Sequence, residues 1–235
     1  MQIWVIRINR LVLVALAAVP FLFIEPFFHH FQVYLTGTVI NGIVKEAWHL
    51  VLISIVVFGL FLVPLTYRKR AKWVDYGLVG AFFISLFIEM FGIPLTILFA
   101  SKFLFVPGTA MPVNVVTFEF MGVHLGMDHT MTYGLVVMLI GMALIVVGWV
   151  SLYTQVRQPG FATKGIYQYS RHPQYLGFVL LVLGWFFGWP TILTVIFSPI
   201  LVVKYIKAAR SEEADMLRLH GDAYAAYMRE TPFLI

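Results

Sequence analysis

Two short clusters in this chain hold the residue types from which a chemical site is built. The first is Lys164-Gly165-Ile166-Tyr167-Gln168-Tyr169-Ser170-Arg171-His172-Pro173-Gln174-Tyr175-Leu176-Gly177. It sets a guanidinium, an imidazole and three phenols against the start of an apolar run. Pro173 suits the first position of a helix, where its missing N–H costs nothing. The free N–H groups of that helix start, with Arg171 and His172, form a local positive site for an anionic group. The second cluster is Arg210-Ser211-Glu212-Glu213-Ala214-Asp215-Met216, followed by His220-Gly221-Asp222-Ala223-Tyr224-Ala225-Ala226-Tyr227. Paired carboxylates at the end of an apolar helix are poorly placed for the helix dipole, which prefers cations there. Each residue alone also has a plain structural reading. Interfacial Tyr and Arg are common membrane anchors, and the twin glutamates suit a solvated amphipathic tail.

The elements that position these clusters are membrane helices. The 235 residues are 61% hydrophobic and 11% charged, with mean hydropathy +0.90. A soluble domain is roughly half apolar and a quarter charged, so the composition points to the bilayer. Apolar runs cover residues 11–28, 47–67, 74–105, 133–153 and 175–207. The third is long and interrupted by Pro94. The last is broken by Gly188-Trp189-Pro190 into two short helices, because proline cannot continue a helix. The expected fold class is all-α, a multi-pass transmembrane bundle of about six helices. Its last two helices form a tight hairpin and its C-terminal helix is cytoplasmic. No small-residue cleavage site follows Phe21-Leu22-Phe23-Ile24-Glu25-Pro26, so the first helix is expected to be retained.

With a cytoplasmic N-terminus, Lys45 and Lys102 are the only ones of the sixteen Lys and Arg that fall outside. The positive-inside rule therefore puts both termini in the cytoplasm. That places residues 157–171 and the tail after Lys207 on one side of the membrane. The membrane is the cytoplasmic one in a prokaryote, the endoplasmic reticulum in a eukaryote. The net charge of +5 follows from this flanking pattern and does not point to nucleic acid. The absence of cysteine excludes a disulfide framework, a thiolate metal site and a cysteine nucleophile in the protein itself. Residues 106–130 read as the longest loop, on the outer face, apolar enough to lie on or dip into the membrane.

Taken together, the two clusters resemble the isoprenylcysteine carboxyl methyltransferase family. The pattern G-x-Y-x-x-x-R-H-P-x-Y-x-G is met by Gly165, Tyr167, Arg171, His172, Pro173, Tyr175 and Gly177. After the hydrophobic hairpin, Glu212, Glu213, Gly221, Tyr224 and Tyr227 follow at the family's spacing. Met216 stands where leucine is usual, and His220 where phenylalanine is usual, which bears on how the tail helix packs. The resemblance covers about residues 160–235. It implies S-adenosyl-L-methionine as cofactor, held on the cytoplasmic side by Tyr167, Arg171, His172, Tyr175, Glu212 and Glu213, with a lipophilic methyl acceptor entering from the membrane. It also implies a division into residues 1–156, the acceptor-side bundle, and 157–235, the cofactor-binding loop, hairpin and tail. Arg171 and His172 are the candidate catalytic residues. A carboxylate acceptor is already ionised and needs no base, whereas a thiol or amine needs one, and His172 is the first candidate.

Glu89 lies in the middle of the third apolar run, beside Pro94. An intramembrane carboxylate is costly and is a functional candidate by default. It either lines the acceptor cavity or is a structural acid bonded to a neighbouring helix. His29, His30, Glu46 and His49, with His124, Asp128 and His129, gather on the outer side, but their spacing matches no strong metal signature and no metal is expected. A membrane reductase of the sterol and steroid type, using NADPH, is the alternative enzyme, since such reductases are similar around Arg171-His172-Pro173. A non-catalytic scaffold or transporter is the alternative outside enzymes. No inverted repeat supports transport.

Overall fold

The computed structural model describes residues 2–36, 109–120, 123–155 and 160–234. The second and third apolar runs, with Glu89, Pro94, Lys45, Glu46, His49 and Lys102, lie outside the described residues. The described chain is mostly helical: α1 (Gln2–Leu22), α2 (Ile24–Leu35), α3 (His129–Gln155), α4 (Pro173–Gly188) and α5 (Ile192–Glu230), with strands β1 (Val116–Phe120) and β2 (Val123–Met127). The strands correct the reading of residues 106–130 as a loop and add a two-stranded hairpin to a fold that is otherwise helical, as expected. They pair antiparallel, with Val116 opposite Met127 and Phe120 opposite Val123. The signal is legible in retrospect. Val116-Thr117-Phe118-Glu119-Phe120 alternates apolar and polar at period two and is rich in β-branched and aromatic residues.

Among the described residues, α3 is the one helix long and apolar enough by itself to cross a membrane. Its 27 residues span about 40 Å at 1.5 Å each, more than the roughly 30 Å of hydrocarbon. Val136, Leu139, Met142, Val146, Val147 and Val150 on it are exposed, as side chains facing lipid would be. The first run, expected as one helix over 11–28, is broken at Phe23 between α1 and α2. The break expected at Gly188-Trp189-Pro190 is present, and Thr191 Oγ1 there accepts the N–H of Thr194 at 3.2 Å.

The chain divides into two compact units. One contains residues 1–24, 133–185 and 198–235. Its core packs Val137 of α3 against Leu176 and Leu180 of α4, with Leu13, Tyr133, Ile140, Leu144 and Leu234 around them. Helices α3 and α4 run antiparallel with their backbones touching. A Cβ on Gly177 would sit 2.6 Å from the carbonyl oxygen of Gly141, and one on Gly184 2.6 Å from that of Gly134. Close approach through small residues is how helices pack without a hydrophobic driving force. Gly177, a member of the first cluster's motif, is therefore a packing residue.

Pro20 lies inside α1. It has no N–H, so the carbonyl of Leu16 loses its helical donor. The Tyr133 hydroxyl on α3 donates to that carbonyl at 2.9 Å. In a low-dielectric setting an unpaired carbonyl is costly. Tyr133→Phe is expected to lower stability by about 1–2 kcal/mol, read as a fall in thermal midpoint in detergent, and an unchanged midpoint would show that the bond contributes nothing.

The other unit contains residues 25–132 and 186–197. Here Asp128 caps α3 by accepting the N–H of Met131 at 2.9 Å, and its other oxygen lies 2.6 Å from Nδ1 of the fully buried His30. Asp128 thus serves as a helix cap and as the hydrogen-bond partner of His30, which accounts for part of that His and Asp cluster.

Candidate functional site

The site begins at the end of α3. The Gln155 side chain accepts the N–H groups of Thr163 at 3.1 Å and Lys164 at 2.9 Å, and donates to the Lys164 carbonyl at 3.1 Å. It holds the returning loop against the helix end. Gly165 then adopts φ +65°, a left-handed conformation that favours glycine. A short 3₁₀ turn, Gly165–Gln168, follows and buries Tyr167. The Tyr167 hydroxyl donates to Gln174 Oε1 at 2.9 Å. Pro173 opens α4, as its residue type requires, and the carbonyl of His172 accepts the N–H of Leu176 at 3.0 Å.

The second cluster arrives on α5. Gly221 breaks this helix with φ 50° and ψ −126°, a conformation open to glycine and to little else. The chain is thereby redirected, so that Tyr224 and Tyr227 pack on Phe161 with ring centroids 5.1 and 5.5 Å away. His220 joins the same ring at 5.0 Å. The departure from phenylalanine at this position therefore keeps an aromatic ring in place. The Tyr227 hydroxyl donates to the Tyr167 carbonyl at 2.5 Å.

Arg171 fastens the two clusters together. Its Nε donates to Glu213 Oε1 at 2.6 Å, and its Nη1 donates to the carbonyls of Met228 at 2.9 Å and Thr231 at 2.5 Å. Its own N–H donates to the Pro232 carbonyl at 3.0 Å. Three of the five guanidinium N–H bonds are taken up by Glu213, Met228 and Thr231, and Nη2 has no partner among the described residues. The guanidinium carbon also sits 5.7 Å from the ring centre of Phe233. Next to it, His172 is 5% exposed. Its Nε2 lies 3.2 Å from the same Glu213 oxygen, out of line for a hydrogen bond. Its Nδ1 lies 4.0 Å from Glu212 Oε2. Phe233 and Tyr175 make T-shaped contacts with the imidazole, their ring centroids 5.0 and 5.7 Å away. Glu213 is nearly buried, while the Glu212 side chain is 54% exposed.

The structure thus brings Tyr167, Arg171, His172, Tyr175, Glu212 and Glu213 into one neighbourhood, and gives the twin glutamates different surroundings. Gln155, Gln174, Phe161 and Phe233 belong to the same neighbourhood and were not legible as site residues. A glutamine closing an apolar helix was the only hint for Gln155, and the others lie in plain apolar or variable positions. Glu89 is outside the described residues.

Burial sets the protonation states. It pushes the Tyr167 and Tyr224 hydroxyls up to about 12, with the neighbouring carboxylates adding to the effect. Both remain hydrogen-bond donors at neutral pH. Burial also holds the His172 imidazole below its ordinary 6.5, outweighing the pull of Glu212 and Glu213. In the window below 6.5 the unfolded chain then binds more protons at this residue than the folded one. The stability contributed by His172 is complete above 6.5 and declines as pH falls through that window. His172→Gln is expected to flatten the acid side of a thermal-midpoint profile, and an identical slope in both proteins would contradict the assignment.

A lipid-facing helix and a loop locked to a C-terminal tail through a buried Arg–Glu–His network define a helical protein of membrane type with a polar site at one helix end. Residues 45–231 match the family described as "Protein of unknown function (DUF1295)", well over half of the sequence, and the chain belongs to that family. Over 75 residues it is 35% identical to a methanethiol S-methyltransferase of Crocosphaera subtropica, covering 32% of this chain and 29% of that protein. Over 75 residues it is also 35% identical to a protein-S-isoprenylcysteine O-methyltransferase of Schizosaccharomyces pombe, covering 30% of each. These matches bear out the resemblance to the isoprenylcysteine carboxyl methyltransferase family, within less than a third of the length of either relative. No solved structure matches.

Proposed function

We propose that this chain is an integral membrane methyltransferase that moves a methyl group from S-adenosyl-L-methionine to a lipophilic acceptor. The acceptor is an isoprenylcysteine carboxylate-like group or another small thiol, acid, amine or lipid. The observation that carries the reading is the meeting of Arg171 and His172 with Glu213, 42 positions from Arg171 along the chain. The donor set fits the cofactor. Glu212, exposed and unpaired by Arg171, suits an ammonium or ribose hydroxyls. Arg171 Nη2 suits a carboxylate. Tyr167 and Tyr175 offer ring faces to an adenine. When bound, the cofactor supplies an electrophilic methyl group on a sulfonium. The protein's part is alignment and the exclusion of water.

In the same proposal residues 157–235 form the cofactor part and 1–156 the acceptor-side bundle, with Glu89 lining the acceptor cavity. The bundle has about six helices, with α4 and α5 as its closing hairpin. The stacked rings of Phe178 on α4 and Tyr205 on α5, 5.2 Å apart, support that hairpin. Both termini are cytoplasmic by the distribution of Lys and Arg.

Thermal stabilisation of the purified protein tests the reading. S-adenosylhomocysteine is expected to raise the midpoint and NADPH is not. The reverse result favours the reductase, and no response to either favours a non-catalytic role. Glu89→Gln is expected to lower activity with normal expression, and normal activity would remove it from the cavity.

A further inference from the structure

We infer that Gln174 is a positioning residue of the cofactor site, which holds the Tyr167 hydroxyl so that its oxygen is left to accept a hydrogen bond from an N–H or O–H group of the cofactor. This rests on the methyl-transfer reading above and adds a residue at a position that the motif leaves open. Tyr167 has one hydroxyl proton, and it goes to Gln174 Oε1 at 2.9 Å. The phenol oxygen keeps its lone pairs. At the other end of the residue the Tyr167 carbonyl accepts the Tyr227 hydroxyl at 2.5 Å. The tail thus fixes the backbone of Tyr167, and Gln174 of α4 fixes its hydroxyl.

Glu212 is the carboxylate that acts on this hydroxyl. The phenol oxygen and Glu212 therefore offer two acceptors in one neighbourhood. That pair suits an ammonium or a ribose hydroxyl, which can donate, and does not suit a second acceptor. Were Gln174 to release the hydroxyl, its proton would be free to turn toward the ligand, and the pair of acceptors would be lost.

Helix α3 sets where Gln174 can be. Gly134, Gly141, Gly148 and Gln155 recur every seven residues along it, a spacing that keeps one seam facing a partner helix. Gly134 and Gly141 meet the backbone of α4 at Gly184 and Gly177. At Gly148 the partner is a side chain instead. A Cβ there would lie 2.8 Å from Cγ of Gln174. Cγ is close to the backbone of the first turn of α4, which Pro173 and the bond from Leu176 to His172 hold in place. It can yield only by turning about the Cα–Cβ bond, which carries the amide away from Tyr167. Gly148 is therefore the notch that seats Gln174. One turn or two further on, Gln155 fastens the loop that leads to Tyr167.

The test is calorimetric binding of S-adenosylhomocysteine to the full chain, with the thermal midpoint of the ligand-free protein measured beside it. Gln174→Met keeps the length of the side chain and loses its acceptor. It is expected to weaken binding by about fivefold, the worth of one neutral hydrogen bond. Tyr167→Phe is expected to weaken binding at least as much, and the two changes together no more than Tyr167→Phe alone. Gln174→Glu, which still accepts from Tyr167, is expected to bind close to the wild type. Gly148→Ala is expected to weaken binding as Gln174→Met does. Combined with Gln174→Ala, it is expected to add nothing to the loss from Gln174→Ala alone, because alanine has no Cγ for the new Cβ to meet. A lowered midpoint with unchanged affinity in Gln174→Met would make Gln174 a packing residue and overturn the inference alone. A loss in Gln174→Glu equal to that in Gln174→Met would overturn the acceptor role of Gln174. Failure of the wild type to bind S-adenosylhomocysteine would overturn the methyl-transfer reading together with it.

Discussion

Arg171→Met is expected to destabilise the C-terminal segment by about 3–5 kcal/mol, the cost of breaking a buried ion pair from one side. The guanidinium satisfies Glu213 and the carbonyls of Met228 and Thr231, and its backbone N–H holds Pro232. Removing the side chain leaves a nearly buried carboxylate and two carbonyls without donors. Limited proteolysis of the tail and the thermal midpoint both read the effect. The double variant Arg171→Met with Glu213→Leu is expected to regain much of the loss, because an apolar pair carries no desolvation penalty. If the single variant matches the wild type, the latch between loop and tail has no energetic content. This also refines Arg171 as a candidate site residue. Its hydrogen bonds to Glu213, Met228 and Thr231 position other groups, and among the described residues Nη2 is the guanidinium nitrogen without a partner.

The twin glutamates are expected to respond differently to the same change. Glu213→Gln removes the charge that neutralises Arg171, so it lowers stability and abolishes methyl transfer. Glu212→Gln is expected to leave the midpoint nearly unchanged, since the side chain is 54% exposed. It weakens S-adenosylhomocysteine by about 10–100-fold, the loss of one charge-assisted bond of roughly 1.5–3 kcal/mol. His172→Ala is expected to lower transfer to a thiol or amine acceptor, which needs a base, by about 10²–10⁴-fold, while the protein stays in the membrane. Equal effects of the two glutamate variants on stability would mean that their different burial is without consequence.

The type and spacing of residues by themselves determined the helical class, the break at Gly188-Trp189-Pro190, the place of Pro173 at a helix start, and the two clusters that the fold brings together. These features are local. Proline geometry, hydrophobic runs and motif spacing act within a few residues of chain. The β1–β2 hairpin was legible in principle, as period-two alternation, but its strands are only five residues each and lie in an otherwise helical, apolar chain. The break at Phe23 was legible in principle, because Pro20 and the Glu25-Pro26 pair flank it and proline suits only the first turn of a helix, but the continuous apolar run obscured it.

Tertiary structure alone decided how roles divide within the clusters. Gly177 packs a helix because Gly141 lies across from it. Tyr133 completes α1 because Pro20, more than a hundred residues earlier, leaves a carbonyl open. Gln155 and Gln174 matter only because the loop returns to meet them. Glu212 and Glu213 are chemically identical neighbours, and only the direction of Arg171 makes one a structural counterion and leaves the other open to solvent. Such assignments depend on partners distant in sequence, whose approach is fixed by packing and by the need to pair buried charges and carbonyls. No local rule in the sequence encodes that approach.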